Sequence, residues 1–254
     1  MSHLLITREE RVLRLTLNNP DARNPLDEAI CHELVAALLD AGTDRTVGCV
    51  LLDARGPVFC SGLEMNELLM PNGSELSAVH EELFTFGVHY HKPIVAAVQG
   101  AVVGAGVGLV ANCHVVLAAQ GAQFGLTEIR LGHWPFVAHR AVALAIGERR
   151  TVELSLTGRV FGTGDALQYG LVHEVVPPFE LDDRATATAR QLANASQETL
   201  RRGLDFVQKS REMSWATAGR LAVEYAERTA RSADFREGIE AQREKRKPAW
   251  PSLE

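Results

Sequence analysis

With 254 residues, 46% of them apolar, 23% charged and 6% aromatic, the chain can bury one large core, which excludes a disordered, collagen-like or disulfide-scaffold polymer. A net charge of −6 repels phosphate polymers, so no nucleic-acid partner is expected. Cys31, Cys49, Cys60 and Cys113 lie far apart with no CxxC pair, and the histidines form no HExxH motif. Reduced core thiols and no metal site are therefore expected. The stretch from Met1 to Ile6 lacks a basic n-region, and no apolar run approaches the roughly 18 residues of a membrane span. The expectation is a cytoplasmic protein without a membrane partner.

In chain order, Val12 to Leu17 alternates like a half-buried strand and is broken by Asn18-Asn19-Pro20-Asp21. From Leu26 the apolar residues Leu26, Ile30, Leu34 and Leu38 recur at helical spacing, and Val47 to Asp53 predicts a strand. The alternation continues: Leu76 to His89 predicts a helix, Ile94 to Val98 a buried strand, Gly106 to Asn112 a helix and His114 to Ala118 a strand. Such alternation predicts an α/β fold with a mostly parallel sheet covered by helices. Past residue 135, helices are predicted over Val137 to Ile146, Arg149 to Leu156, Asp165 to Tyr169, Leu181 to Ala195 and Ser214 to Arg231, with Leu171 to Val176 strand-like between them. Pro177-Pro178 divides a core over 1–178 from a helical region over 179–254.

Two glycine-containing segments follow predicted strands and run into helices: Phe59 to Met65, and Gly100 to Gly108. At such turns backbone N–H groups are unpaired and can donate to a developing anion. Two of them face to face would make an oxyanion hole, whereas either alone is better explained by tight turns and close packing.

The segments Leu17 to Leu26, Phe59 to Met65, Gln99 to Gly106 and Phe124 to Gly132 stand in the order and spacing of the enoyl-CoA hydratase/isomerase, or crotonase, family. Gly158-Arg159 to Leu171-Val172 and Glu237-Gly238-Ile239 to Lys247 are also similar to it, so the resemblance spans nearly the whole chain. It implies a crotonase-like spiral of ββα units, a helical C-terminal region for trimerisation and pocket closure, and acyl-CoA thioesters as ligands. It further implies a homotrimer or dimer of trimers and no cofactor beyond the coenzyme A carried by the substrate.

Carried over by position, the oxyanion donors fall on the backbone N–H groups of Leu63 and Ala105, where two donors on a thioester oxygen stabilise an enolate. Hydratases of the family flank the substrate with two glutamates; the first position here is Gly108 and the second is Glu128. Hydration needs water activated and a proton delivered, while a double-bond shift needs one carboxylate, so the pattern favours an isomerase. A hydratase with a displaced second acid/base group, or a non-catalytic acyl-CoA-binding protein, is the alternative. His133, beside Trp134 and Phe136, is the next catalytic candidate or else a packing residue. Glu64 at a helix start suits dipole complementation better than chemistry. Glu81 and Glu82 suit a solvated face, with a second carboxylate as the alternative. For coenzyme A the resemblance points to the backbone around Ala22, Asn24 and Leu26, to Met65, and to the basic cluster Arg243, Lys245, Arg246 and Lys247, which a solvated helix face explains equally well.

Overall fold

The computed structural model describes residues 3–69 and 73–253. Met1 and Ser2, which enter the reading of the N-terminal stretch, lie outside the described residues. Strands β1 (Leu4–Glu9) and β2 (Val12–Leu17) form an antiparallel hairpin in which Glu10 takes a left-handed φ of 51°. Two-residue β3 (Pro25–Leu26) leads into α1 (Glu28–Thr43), whose first turn is capped by Asp27 accepting the Ile30 N–H at 2.8 Å. There follow β4 (Cys49–Ala54), β5 (Val58–Cys60), β6 (Gly62–Leu63), α2 (Gly73–His89), β7 (Ile94–Val98), β8 (Ala101–Val103), α3 (Ala105–Ala111), β9 (Val115–Ala119) and β10 (Gln123–Gly125). The chain continues through α4 (Phe136–Ile146), α5 (Glu148–Thr157), β11 (Val160–Gly162), α6 (Thr163–Tyr169), β12 (Glu174–Val176), α7 (Leu181–Ala193), α8 (Gln197–Ser210), α9 (Trp215–Ala230) and α10 (Ala233–Glu244).

The long strands build a six-stranded sheet in the order β1-β2-β4-β7-β9-β12, parallel except for the first hairpin. The short strands build a second sheet, β11-β10-β8-β5, and a separate pair, β3-β6. Each of three successive turns contributes a long strand, a short strand and a helix: β4-β5-α2, β7-β8-α3 and β9-β10-α4. The result is the spiral of ββα units that the resemblance implies. The continuous apolar runs Val50 to Leu52 and Ile94 to Val98 are buried on both faces, as strands covered on both sides must be.

One face of the large sheet packs on α1 to α4, with Leu15, Val50, Leu52, Ala96 and Val98 meeting Ile30, Leu34, Leu83 and Val107. The other face packs on α7, whose Leu181, Ala185, Ala189 and Ala193 recur every four residues and meet Val12, Cys49, Leu51, Val95 and Leu117. Small side chains let that helix approach closely: a Cβ on Gly48 would lie 2.5 Å from the Ala193 carbonyl oxygen. Arg14 on β2 adds a polar clamp, donating to Asp53 at 2.7 Å and to Asp182 on α7. The expected division at 178/179 therefore cuts through a packed unit, because α7 belongs to the core and the peripheral layer starts at α8. Helices α8 and α10 are additions to the expected list; Ser196, Ser214 and Ser232 cap α8, α9 and α10, and buried Asp234 anchors α10 by accepting from Ser196 and Ser252. Among the described residues no helix is long and apolar enough to cross a membrane.

Candidate active site

The short strands bring the two glycine segments together. Glu64 donates its N–H to the Leu26 carbonyl at 3.1 Å, and strand alternation turns the N–H of Leu63 to the opposite side, toward α3. On that side Gly62 and the start of α3 are in near contact, for a Cβ at Gly62 would stand 3.5 Å from the Ala105 nitrogen and 2.9 Å from the Val103 oxygen. Ala105 is the first residue of α3, where helix geometry leaves the N–H without an intrahelical acceptor. The preceding Gly104 is held by its N–H to the Gly125 carbonyl at 2.8 Å and adopts φ 56°, ψ −126°, a conformation that excludes side chains. Leu63 and Ala105 line one cavity of about 270 Å³, and Ser61, Gly62 and Gly104 line it with them.

Glu128 opens the turn after β10 and enters the same cavity. Its carboxyl stands against the Gly104 turn, where a Cβ would be 2.8 Å from Oε1, while the positive φ of Gly104 is what calls for glycine there. Glu128 is 5% exposed, and burial pushes its carboxyl above the ordinary value of 4.5. Among the described residues Oε2 has no hydrogen-bond partner. A buried carboxyl with one oxygen left without a partner among the described residues, in the cavity that Leu63 and Ala105 also line, is equipped to exchange a proton with something that enters it.

The other candidates divide. His133 lines the cavity, donates its N–H to the Glu128 carbonyl at 3.1 Å and sets its ring edge-on to Phe136. Met65 also lines it, as do Leu68, Leu131, Trp134 and Val137, which form an apolar wall. Glu81 and Glu82 are exposed on α2 and lie outside the cavity lining. Glu64 accepts from the N–H and side chain of Asn66, a local turn rather than a reaction partner.

At the expected coenzyme A groove, Ala22 is exposed while Asn24 and Leu26 are fully buried. Asn24 takes φ 52°, accepts the Asn19 N–H at 2.7 Å and donates to the Arg55 and Val58 carbonyls. It shapes the loop and presents no surface, so of these three positions Ala22 alone faces outward. Lys247 is exposed and outside the cavity, and neighbouring Arg246 is engaged by Glu237 and Glu244.

Gly108 sits in the middle of α3 against α4. A Cβ there would meet the Ala138 Cβ at 2.6 Å, the Ala138 Cα at 2.8 Å and the Phe84 ring at 3.2 Å, so the position accepts no side chain. A residue that the sequence reading passes over instead reaches the cavity from α2. His80 is 3% exposed, lines the cavity and leaves Nε2 without a partner among the described residues. The signal available in sequence is its place within the apolar stripe Val79, Leu83 and Phe84, which marks the helix face that turns inward. No cluster of three or more potential metal ligands occurs among the described residues.

Residues 7–252 match the family described as enoyl-CoA hydratase/isomerase. The 2,3-dehydroadipyl-CoA hydratase of Escherichia coli K12 is 31% identical over 250 residues, covering 98% of both chains. The crystal structure of an enoyl-CoA hydratase from Mycobacterium smegmatis superposes with a TM-score of 0.92 at 29% identity, over 98% of this chain and 99% of that one. The crystal structure of human enoyl-CoA hydratase domain-containing protein 3 gives a TM-score of 0.92 at 26% identity, over 98% of this chain and 100% of that one.

Proposed function

The chain belongs to the enoyl-CoA hydratase/isomerase family, and we propose that it shifts the double bond of enoyl-CoA thioesters with Glu128 as the proton carrier. The thioester oxygen sits between the N–H groups of Leu63 and Ala105, and the acyl chain lies along Leu68, Leu131, Trp134 and Val137. The Glu128 carboxylate removes a proton from the carbon next to the carbonyl of a 3-enoyl thioester. The released pair delocalises onto the oxyanion and the neighbouring double bond, and the same carboxyl returns the proton at C4 to give the 2-enoyl product. Two backbone donors on the enolate oxygen contribute about 3 kcal/mol each to this step.

One observation carries the preference for a shift: Glu128 is buried with its Oε2 lacking a partner among the described residues and its carboxyl against Gly104, while position 108, where a second carboxylate would stand, has no room for a side chain. The hydratase names of the relatives support an enoyl-CoA thioester as the substrate class. Ala22 and Met65 flank the route for the coenzyme A portion, Lys247 supplies a phosphate contact, and the reaction calls for no other cofactor. We place the activity in the cytoplasm and in a homotrimer or dimer of trimers, a reading supported by the uncovered outer face of α9, where Trp215 is 96% and Val223 60% exposed.

Product analysis on 3-enoyl- and 2-enoyl-CoA of several chain lengths tests the reading. Conversion of the 3-enoyl to the 2-enoyl thioester is the expected result. Tight coenzyme A thioester binding with no double-bond shift at any length would overturn it, and without any turnover would leave an acyl-CoA-binding module.

A further inference from the structure

The double-bond shift leaves one buried group of the pocket without a task. His80 lines the same cavity as Glu128, Leu63 and Ala105, and both its Nε2 and the Glu128 Oε2 lack partners among the described residues. Two orphaned polar atoms in one apolar cavity are costly unless something that enters the cavity satisfies them. The imidazole also arrives from the helix that crowds the vacant carboxylate position. Phe84, one turn beyond His80 on α2, is among the groups that close in on Gly108, and its ring stands edge-on to His80 with centroids 6.4 Å apart. The second acid/base group is thus missing from α3, and α2 supplies a titratable side chain from next door.

We propose that His80 is a second catalytic residue of this pocket, the base that acts on water where α3 offers no carboxylate, working with Glu128 in the addition of water to a 2-enoyl-CoA thioester that the hydratase names of the relatives describe. The inference rests on the reading of the cavity as an enoyl thioester site. In the step, His80 Nε2 takes a proton from water as the water oxygen bonds to C3. The π pair moves to C2 and the thioester oxygen becomes an enolate on the Leu63 and Ala105 N–H groups. The Glu128 carboxyl then gives its proton to C2, the enolate collapses to the thioester, and the product is the 3-hydroxyacyl thioester. The imidazolium and carboxylate left behind return to their starting forms when the proton passes from His80 back to Glu128. Burial favours the neutral form of both groups, pushing the carboxyl up and the imidazole down, which is the pairing of an acid with a base that this step starts from.

The test measures, on the purified protein, both 3-hydroxyacyl-CoA formation from 2-enoyl-CoA and the shift of 3-enoyl-CoA. The unmodified protein is expected to hydrate, and His80→Phe, which keeps a ring against Phe84, is expected to lower the ratio of hydration to shift by about 100-fold. His80→Gln serves as the second variant should the phenylalanine disturb folding, and melting temperatures report the fold of each. No hydration by the unmodified protein, or an unchanged ratio in the folded variants, would overturn the proposal. A protein that hydrates in a His80-dependent manner yet shifts no double bond would support the role of His80 while refuting the single-carboxylate shift.

Discussion

Glu128 is held by two opposing demands: the proposed reaction needs a carboxylate beside the Gly104 turn, and the cavity that brings it there raises the free energy of its charged form. The proposed shift begins with the ionised group, so its rate is expected to fall with acidification along a limb that lies above pH 4.5, the ordinary value. His80 and His133 line the same cavity, so the profile is to be compared with those of His80→Gln and His133→Gln variants to isolate the carboxyl. Glu128→Gln keeps the shape and loses the base; the shift should disappear while the coenzyme A thioester binds within a few-fold of its original affinity. The same substitution should stabilise the fold. A carboxyl whose folded value is raised weakens the native state as pH climbs past the unfolded value, so the gain should be present at neutral pH and vanish well below pH 4.5, where both states are protonated. Thermal denaturation at the two pH values checks both halves of this statement. Ala105 offers the complementary test of the main chain. As the first residue of α3 it occupies the helical position where proline is best tolerated, so Ala105→Pro removes the N–H with little cost to the fold. Turnover should fall by about 100- to 1,000-fold, while Ala105→Gly should retain it.

Among elements, α3 shows why a carboxylate cannot simply be restored. Gly108 lets α3 approach α4 until its Cα faces Ala138, and even Gly108→Ala would place a methyl 2.6 Å from the Ala138 Cβ. That variant is expected to lose about 1–3 kcal/mol, and Gly108→Glu to yield poorly folded protein without added hydration, as urea denaturation would report. The same contact explains what was legible in sequence. Long elements carry their own periodicity, and Val12–Leu17, Ile94–Val98 and Ser214–Arg231 match β2, β7 and α9 to within a residue at each end. Strands β3, β6, β8 and β10 have two or three residues and no period to read; they exist because the spiral pairs them. Yet they set the site, which is why Leu63, Ala105 and Glu128 followed from family motifs and not from local pattern. His80 was hidden for a different reason: a histidine in an apolar stripe looks like core until the neighbouring element is seen to leave a cavity beside it. Helix α8 was passed over although Leu200, Leu204 and Val207 recur at helical spacing, because its other residues are almost all polar.

At the scale of the molecule, the two ends of the chain differ in how completely they are buried. The core closes around two apolar clusters on either face of the six-stranded sheet, whereas α8 and α9 contain no fully buried residue. Tyr225 turns inward on α9 to meet Phe206 and donate to Asp205 on α8, and Leu221 and Ala222 are half-buried. Trp215 and Val223 point away with nothing over them. An uncovered tryptophan with an exposed valine two turns along the same helix suits an interface. Arg228 and Arg231 on the last turns of α9 form ion pairs within that helix, with Glu224 and Glu227, so they contribute solvated charge at its rim. The face predicts self-association, and with the trimer that the family resemblance implies, the expected state in sedimentation at micromolar concentration is a trimer or a dimer of trimers. Trp215→Glu should shift the distribution toward smaller species by placing a charge in the contact, with the core's melting behaviour retained because α9 contributes nothing to either apolar cluster. A monomer for the unmodified chain at that concentration would show that the α9 face is not a subunit contact, and would leave Lys247, on the same peripheral layer, serving the coenzyme A groove of its own chain or none.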